Sequence, residues 1–304
     1  MAEPRHIGEI IEDIKREWTK NAAGGSLQRK IDYSIAMMQK AEPMALNMHP
    51  DGFRLAFSGG KDSIVLYRLA QMAGVKFKAH MQITTLDPPE LMKFVRTNYT
   101  DVTLHRPEIN FYDLIKKKKM LPLRQVRYCC QYLKEQSGIS MCTLLGIRAS
   151  ESVRRAKRNE VEISDYKYSN TLDQFNIDAE NKHVCIKGKD KLLISPIFHW
   201  TDRDVWNFIR SNKIEYCKLY DEGYTRIGCI MCPMATKKSI QRDRLRYPGV
   251  EHAIKKSIQY IVNEYGYGNR HNATPDELFE WWISKQSYDI FFENLRKQGK
   301  IKFE

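Results

Sequence analysis

The stretch that decides the fold is Phe53-Arg-Leu-Ala-Phe57 followed by Ser58-Gly59-Gly60-Lys61-Asp62-Ser63. Residues 53–57 have the apolar character of a buried strand, and residues 62–72 are predicted to form a helix. Two glycines at the junction let the backbone approach an anion closely, and the helix N-terminus adds unpaired N–H donors. The stretch therefore predicts a phosphate-binding loop between a strand and a helix.

Polar side chains of this loop are candidates for phosphate contacts. Lys61 can neutralise phosphate charge, and Asp62 is expected either to assist a metal ion or to fix the loop. The loop is not a Walker A motif, because Leu55 stands where that motif needs its first glycine. The candidate phosphate-binding residues are Ser58, Gly59, Gly60, Lys61, Asp62 and Ser63.

Strands and helices alternate on the C-terminal side of the loop. Further strands are predicted over 77–83, 102–104, 141–147 and 192–194, and helices near 111–119 and 125–136. This alternation is typical of a doubly wound α/β domain with a mostly parallel sheet, whose nucleotide lies at the carboxyl ends of the strands. Residues 159–182 are polar and patternless, which predicts a loop or an insertion.

The chain divides into three predicted parts. Residues 1–47 are expected to be an N-terminal helical cap, with helices near 7–14 and over 26–44. Residues 48–214 form the predicted α/β nucleotide domain, and residues 215–304 form a Cys-rich and helical C-terminal region.

Charge and composition narrow the class of partner. The 304 residues include 50 Lys and Arg against 37 Asp and Glu, a net charge of +13. Segments 106–134, 148–158 and 225–260 together hold 21 basic and 5 acidic residues. This localised charge favours a polyanionic partner such as nucleic acid. Because the sequence has neither a run of 18 apolar residues nor an apolar leader, we expect a cytoplasmic protein without a membrane partner.

A second basic loop reads Gly146-Ile-Arg-Ala-Ser-Glu-Ser-Val-Arg154. The planar guanidinium groups of Arg148 and Arg154 match the geometry of phosphate or sulfate. Glu151 is placed to orient Arg148 or to take part in metal binding.

The cysteines indicate a metal site. Cys229 and Cys232 have the spacing of a metal or cluster knuckle, Cys129 and Cys130 are adjacent, and Cys217 lies twelve residues before Cys229. This spacing leaves zinc and a [4Fe–4S] cluster both open. Two further cysteines lie in apolar, strand-like surroundings and are predicted to be buried: Cys142 and Cys185.

Together these motifs resemble the PP-loop (N-type) ATP pyrophosphatases, and within them the phosphoadenosine phosphosulfate (PAPS) reductase-like family. The matching segments are 58–63, 84–90, 146–154, 195–206 and 223–232. The resemblance implies an adenine nucleotide alpha hydrolase-like fold that cleaves ATP between the α and β phosphates with Mg²⁺. It implies the catalytic residues Lys61, Asp62, Arg148 and Glu151. It adds nucleotide contacts from Thr84, Asp87 and Arg154 to those of the loop.

The resemblance also narrows the cysteine chemistry. The sulfur-transfer proteins of DNA phosphorothioation suggest a [4Fe–4S] cluster on Cys129, Cys217, Cys229 and Cys232, with zinc as the alternative metal. Adenylylsulfate reductases suggest Cys130 as the alternative fourth ligand. Sulfonucleotide reductases attack sulfur with a cysteine in a C-terminal tail, and this sequence has no cysteine after Cys232. We therefore expect sulfur transfer rather than reduction.

Three functions follow as hypotheses. The first is an enzyme that adenylates nucleic acid, either DNA or tRNA, for sulfur transfer, with a cysteine desulfurase as sulfur donor. The second is a sulfonucleotide (APS or PAPS) reductase. The third is a non-catalytic nucleotide sensor or scaffold among the proteins of a modification or defence complex. The lysine run 116–119 is either a contact to a phosphate backbone or a solvated helix end.

Overall fold

The computed structural model describes residues 25–135, 137–164, 169–170 and 191–301. Their contacts divide the chain into two compact units. The first comprises the described residues up to Met81 together with Glu90–His105 and Ser137–Tyr220. The second comprises Gln82–Pro89, the described residues of Arg106–Gln136 and those from Asp221 onward. The three-part division of the sequence stays a prediction.

Seven strands of the described residues form one sheet. They are β1 Phe53–Phe57, β2 Phe77–Gln82, β3 Thr103–His105, β4 Cys142–Leu144, β5 Val161–Ser164, β6 Ser169–Asn170 and β7 Lys191–Ile194. Their order is β3-β2-β1-β4-β7-β5-β6. β1 pairs in parallel with β2 and β4, and β4 with β7, whereas β5 runs antiparallel to β6 and β7. The predicted doubly wound, mostly parallel sheet is therefore confirmed.

Helices surround this sheet and build the second unit. They are α1 Leu27–Met48, α2 Lys61–Ala73, α3 Pro89–Asn98, α4 Phe111–Lys118, α5 Tyr128–Cys130, α6 Val153–Ala156, α7 Asp202–Ser211, α8 Lys237–Arg246, α9 Pro248–Tyr265, α10 Pro275–Ser284 and α11 Tyr288–Ile301. α4, α5 and α8 to α11 belong to the second unit. None of the described helices is long and apolar enough to cross a membrane.

Local sequence signals set several of these boundaries. The Ser26 side chain accepts a hydrogen bond from the Arg29 N–H and so caps α1. Thr201 and Asp204 form a capping box at the start of α7. The predicted helix over 26–44 is confirmed and extended by four residues, whereas the predicted helix over 7–14 lies outside the described residues.

Helix α1 is an integral part of the first unit. Its Ser34 hydroxyl donates to the Pro196 carbonyl at 2.7 Å and accepts from the Trp200 indole N–H at 3.2 Å. Its Lys30 Nζ lies 2.6 Å from the Asp204 carboxylate, and both side chains are largely buried. These polar contacts fix α1 against the segment that follows β7.

Two predictions of secondary structure were wrong. Within the segment 159–182, the described residues form strands β5 and β6 rather than a loop. Pairing of β5 with β7 and with β6 supplies the hydrogen-bond partners that make these polar residues strands. The prediction for the rest of the segment lies outside the described residues. Residues 125–136 are not one α-helix, since α5 ends at Cys130 and a π-helical turn, Gln131–Glu135, continues it. Such turns occur frequently at functional sites.

Each unit has its own apolar core. Phe53 and Leu55 of β1 and Ile64 and Leu66 of α2 are fully buried in the first unit. In the second unit, residues of α4, α9 and α10 share a core with Leu86 and Met231. The predicted burial of Cys142 is confirmed, whereas Cys185 lies outside the described residues.

Candidate active site

The loop after β1 has the conformation expected of a phosphate-binding loop. Gly59 has φ +69°, and a Cβ atom there would lie 2.7 Å from Val95 Cγ2 and 2.8 Å from Leu91 Cδ1. A side chain would therefore meet both backbone strain and α3. Only glycine lets the chain turn at this point while α3 packs against it.

Two serines of the loop have different tasks. The buried Ser63 hydroxyl donates to the Gly60 carbonyl at 2.9 Å and accepts from the Ser58 N–H at 3.2 Å, so it holds the loop closed. The Ser58 side chain is exposed. Its hydroxyl donates to the Ser63 oxygen at 3.2 Å. Of the two loop serines, Ser58 is the one whose side chain solvent reaches.

The first N–H of helix α2 has a partner that sequence reasoning missed. The Lys61 N–H donates to the Tyr220 hydroxyl at 2.8 Å. The Lys61 ammonium also lies 5.9 Å from the centre of the Tyr220 ring. Tyr220 therefore accepts a hydrogen bond from the backbone of the lysine that is predicted to bind phosphate, and its ring lies at the outer limit of a cation–π interaction with the ammonium group. Tyr220 lies 159 residues along the chain from Lys61, so spacing gave no signal.

Two cations and two carboxylates form a charge network next to the loop. The Arg148 Nε donates to Asp62 at 2.7 Å, and its Nη2 donates to Asp202 at 2.9 Å. The Lys61 ammonium lies 3.6 Å from Asp62 and 3.3 Å from Asp202. The Lys61 and Arg148 side chains are only 5% and 3% exposed, whereas that of Asp202 is 63% exposed. Buried cations of this kind need counter-charges.

The sheet topology explains why these four side chains meet. They follow the carboxyl ends of β1, β4 and β7, which are adjacent parallel strands. From β1, the chain adds β2 and β3 on one side and β4 and β7 on the other, so the strand order reverses between β1 and β4. Sheets of α/β proteins bind nucleotides at such switch points. The network therefore occupies the place that the sequence predicts for ATP phosphates. Asp202 was not predicted, although it stands inside the capping sequence of α7.

The other residues of the predicted basic loop have separate positions. Arg148 also donates to the Ser150 hydroxyl at 2.9 Å, so its guanidinium is held from several sides. Glu151 accepts from the Arg148 backbone N–H at 3.3 Å and pairs with Arg155. Glu151 thus fixes the loop backbone. Arg154 is exposed.

The second predicted nucleotide segment, at Thr84 to Asp87, belongs to the second unit. The Thr84 N–H donates to the Asp87 carboxylate at 2.6 Å. The Thr84 side chain is buried, and its hydroxyl oxygen lies 3.6 Å from the Cys229 sulfur. The Ile230 N–H donates to the Leu86 carbonyl at 2.8 Å. The segment is therefore built into the cysteine knuckle.

Four of the five candidate metal-binding cysteines lie in the second unit: Cys129, Cys130, Cys229 and Cys232. A hydrogen bond with Cys130 and burial raise the pKa of Cys129, and Cys229 and Cys232 add to the effect. The same hydrogen bond lowers the pKa of Cys130 to about 6, helped by nearby basic side chains. Thiols that affect one another's ionisation lie close together. Cys217 is buried in the first unit.

The described thiols are not arranged with the geometry of a metal site. In the described part of the chain, no three His, Cys, Asp or Glu side chains converge with metal-binding geometry. A soft thiolate donor set in a largely apolar surrounding still suits zinc or an iron–sulfur cluster chemically. Cys129 and Cys229 pack against the core of the second unit. The ligand set Cys129, Cys217, Cys229 and Cys232, with Cys130 as alternative, stays a prediction.

A buried aspartate that sequence reasoning missed supports the knuckle. The Met231 N–H donates to the Asp243 carboxylate at 2.9 Å, and Met231 has φ +53°. Burial raises the pKa of Asp243. Asp243 therefore holds Met231, one of the two residues between the knuckle cysteines, in a left-handed conformation. Its distance along the chain from the cysteines hides this role.

Fold and site together define an α/β protein with a doubly wound, mostly parallel sheet and a glycine-rich loop at the switch point of its strand order. Residues 53–235 match the phosphoadenosine phosphosulfate reductase domain family, which is more than half of the chain. The chain belongs to this family, and the family resemblance inferred from the motifs is confirmed.

The individual proteins that this chain resembles have several different names and activities. An uncharacterized protein of Methanocaldococcus jannaschii is 28% identical over 249 residues, which are 76% of this chain and 44% of that protein. The chain spans 53% of a second protein of that organism, so it covers about half of these relatives. An adenosine 5'-phosphosulfate reductase of Lysinibacillus sphaericus is 28% identical over 195 residues, covering 63% of this chain and 76% of that protein. Candida glabrata FMN adenylyltransferase, crystallised with FMN and an ATP analogue, aligns with TM-score 0.46 and 15% identity over 73% and 72% of the two chains.

Proposed function

We propose that the protein is an ATP pyrophosphatase that adenylates an acceptor on nucleic acid and so prepares it for sulfur transfer. The observation that carries the proposal is the network of Lys61, Asp62, Arg148 and Asp202 beside a glycine-rich loop. It combines cations for phosphate oxygens with carboxylates for a metal ion, and MgATP needs both.

The proposed reaction is attack of an acceptor oxygen on the α-phosphorus of ATP. The oxygen–phosphorus bond to the acceptor forms while the α–β bridge breaks, so AMP stays on the acceptor and pyrophosphate leaves. Lys61 stabilises the negative charge that develops on the phosphates, and Arg148 holds Asp62 and Asp202 in place. The exposed Ser58 side chain and the positive end of the α2 dipole orient the phosphate chain.

Mg²⁺ fits the carboxylates of this network. Mg²⁺ usually keeps several waters and takes one or two protein carboxylates, with substrate phosphates as further ligands. Asp62 and Asp202 supply two such carboxylates, and the exposed side chain of Asp202 can turn toward the ion. A complete protein cage is not needed for this ion.

Nucleic acid is the proposed acceptor because positive charge is concentrated in few segments. Not every basic residue adds to the charge that a nucleic acid would meet. Arg244, for example, pairs with Glu251 and Glu280 and is neutralised within the protein. Lys237 and Lys238, at the start of α8, are exposed. These lysines are available to phosphate groups.

A [4Fe–4S] cluster on Cys129, Cys229, Cys232 and either Cys217 or Cys130 would carry the transferred sulfur. A cysteine desulfurase is the proposed donor of that sulfur. Iron content and visible absorption of protein purified without oxygen test the ligand set. Loss of iron in Cys217→Ser but not in Cys130→Ser would support Cys217, and the reverse result would support Cys130. Cys142→Ala, at a buried cysteine outside the set, is the control.

Product analysis tests the reaction. Protein purified without oxygen is incubated with MgATP, alone and with DNA or tRNA, and the nucleotides are separated. We expect release of pyrophosphate, more of it when the acceptor is present, with an equal amount of AMP recovered on the nucleic acid or, after hydrolysis of that adduct, as free AMP. Lys61→Ala should abolish turnover, whereas Lys93→Ala, an exposed lysine on α3, should not. ATP left intact under all conditions would refute the proposal.

A sulfonucleotide reductase is the second candidate. The similarity to an adenosine 5'-phosphosulfate reductase and the interacting Cys129–Cys130 pair favour it. Release of sulfite from adenylylsulfate in the presence of a thiol reductant, without conversion of ATP, would support this alternative. If Lys61→Ala abolishes nucleotide binding but no chemistry is found, the protein is a nucleotide sensor or scaffold.

A further inference from the structure

Outside the active site, the second unit carries an exposed surface of lysines and tyrosines. We call this the Lys–Tyr face and define it by Lys116, Lys117 and Lys119 near the end of α4, with Tyr260 and Tyr265 on α9. The Lys116 ammonium lies 5.6 Å from the centre of the Tyr260 ring, and the Lys119 ammonium lies 4.4 Å from that of Tyr265. Two helices thus place cations directly against aromatic rings.

The tyrosines of this face are not part of the core. Tyr260 is 41% exposed and Tyr265 is 46% exposed, and their ring centres are 6.2 Å apart. The inner side of α9, with Ile254, Ile258 and Ile261, fills the core instead. Packing within the unit therefore does not require aromatic residues at these two positions.

The face keeps a positive balance after its acidic neighbours are counted. Asp113 pairs with Lys116 at 2.9 Å, and Glu264 lies near Tyr260. Lys117 and Lys119 are exposed. Lys119 caps α4 with φ +56°, which directs the chain away from the helix at the edge of the face. Positive charge and exposed aromatic rings therefore coincide on one surface.

A neighbouring pair connects this surface to the cysteines. Lys118 Nζ lies 4.3 Å from the centre of the Tyr132 ring and donates to its hydroxyl at 2.8 Å. Tyr132 stands in the π-helical turn that directly follows Cys129 and Cys130. The same lysine run that supplies the face therefore also contacts the segment that carries two candidate metal-binding cysteines.

We propose that the Lys–Tyr face binds single-stranded nucleic acid. Lysine ammonium groups attract the phosphate backbone, and exposed rings stack on unpaired bases, whose faces a duplex would hide. The inference rests on the proposed function, because it assigns the surface that holds the nucleic-acid acceptor. Its residues are separate from those of the ATP network.

Fluorescence anisotropy with a labelled oligothymidylate tests the face, and the same sequence in a duplex is the comparison. In the full-length protein, the double variant Tyr260→Ala and Tyr265→Ala should bind the single strand at least tenfold more weakly, which is about the effect of losing one stacked base. The double variant Lys117→Ala and Lys119→Ala should reduce the slope of log K against log salt by about 1.4, or about 0.7 for each phosphate group that is no longer neutralised.

The control is the double variant Lys93→Ala and Arg96→Ala, which removes an exposed basic pair of the first unit. It should bind the oligonucleotide like the wild type. Equal binding by the tyrosine variant with an unchanged thermal midpoint would overturn the proposal, as would equal loss in the control. Tighter binding of the duplex would overturn the single-strand assignment.

ATP turnover, measured on the same preparations, separates this inference from the proposed function. If the wild type binds the oligonucleotide through the face but never forms AMP, the face stands and the adenylation proposal fails. If the tyrosine variant retains both binding and full stimulation of AMP formation by nucleic acid, the face is wrong and the adenylation proposal stands.

Discussion

The two carboxylates of the charge network offer a matched comparison. Asp62 and Asp202 each contact both Lys61 and Arg148 at 3.6 Å or less. Their side chains differ in exposure, at 18% for Asp62 and 63% for Asp202. Replacing each by asparagine removes the same charge and nearly preserves the shape. Any difference between the two variants therefore reports how well water can replace the lost carboxylate.

The expected magnitudes follow from burial. Asp62→Asn leaves Arg148, whose side chain is 3% exposed, without its closest counter-charge at 2.7 Å. Removing one partner of a buried ion pair costs about 3–5 kcal/mol. Some of this cost is avoided because the asparagine carbonyl still accepts a hydrogen bond, so we expect a loss of about 3 kcal/mol. Asp202→Asn should cost about 1 kcal/mol or less, since solvent reaches that position.

Thermal unfolding followed by calorimetry measures the effect and resolves the transitions of the two units. For a domain of 150–250 residues, about 1 kcal/mol corresponds to roughly 2–4 °C, so Asp62→Asn should lower the midpoint of the first unit by about 6–12 °C. Asp202→Asn should lower it by about 4 °C or less. A loss for Asp202→Asn equal to that for Asp62→Asn would refute the argument from burial.

Three further perturbations test other parts of the structure. Gly59→Ala should cost about 1–2 kcal/mol for the left-handed backbone and about 1–3 kcal/mol more for overlap with α3. Gly74 has φ +67° and no atom within 4 Å of its Cβ position, so Gly74→Ala should show the backbone cost alone. If urea unfolding shows equal losses of stability for Gly59→Ala and Gly74→Ala, the argument from overlap with α3 is wrong. Burial lowers the pKa of His80 to about 4 from 6.5; the unfolded chain therefore binds more protons between these values, and stability should fall as pH falls from 6.5 to 4. His80→Gln should flatten this dependence of the thermal midpoint on pH. His252→Gln, at an exposed histidine, should leave it unchanged. If both variants show the same slope of thermal midpoint against pH, the effect does not come from His80. Asp243→Leu should cost about 1–3 kcal/mol by leaving a buried knuckle N–H unpaired, while Asp243→Asn, which keeps an acceptor, should cost less in urea unfolding.

The sequence predicts most of the fold because its signals are local. An apolar run marks β1, two glycines mark the loop, and Thr201 with Asp204 marks the start of α7. Strands β5 and β6 escaped prediction because their pairing, rather than their own residues, makes them strands. The π-helical turn after Cys130 escaped it because no residue pattern distinguishes that turn from an α-helix.

Among the residues of the candidate site, too, some could be predicted from the sequence and others could not. Lys61 and Arg148 could be predicted because they stand inside recognisable motifs. Asp202 and Tyr220 could not, since each acts through a partner far away along the chain. Asp243 could not, because its partner is a backbone N–H group, which has no signal in the sequence. A single sequence shows which residues carry charge, but not which counter-charge the fold brings to a buried cation.

Under the proposed function, the charge network also explains how the loop is ready for a polyphosphate before one binds. Two cations this deeply buried would destabilise the fold if they stood alone, so carboxylates must hold them. Asp62 is largely buried and serves as the permanent counter-charge, whereas Asp202 is mostly exposed and can be given up at low cost. A phosphate oxygen that replaces Asp202 beside Lys61 would keep the ammonium neutralised and leave Asp202 free to meet Mg²⁺. The same four residues can therefore stabilise the empty fold and accept the charge of the nucleotide.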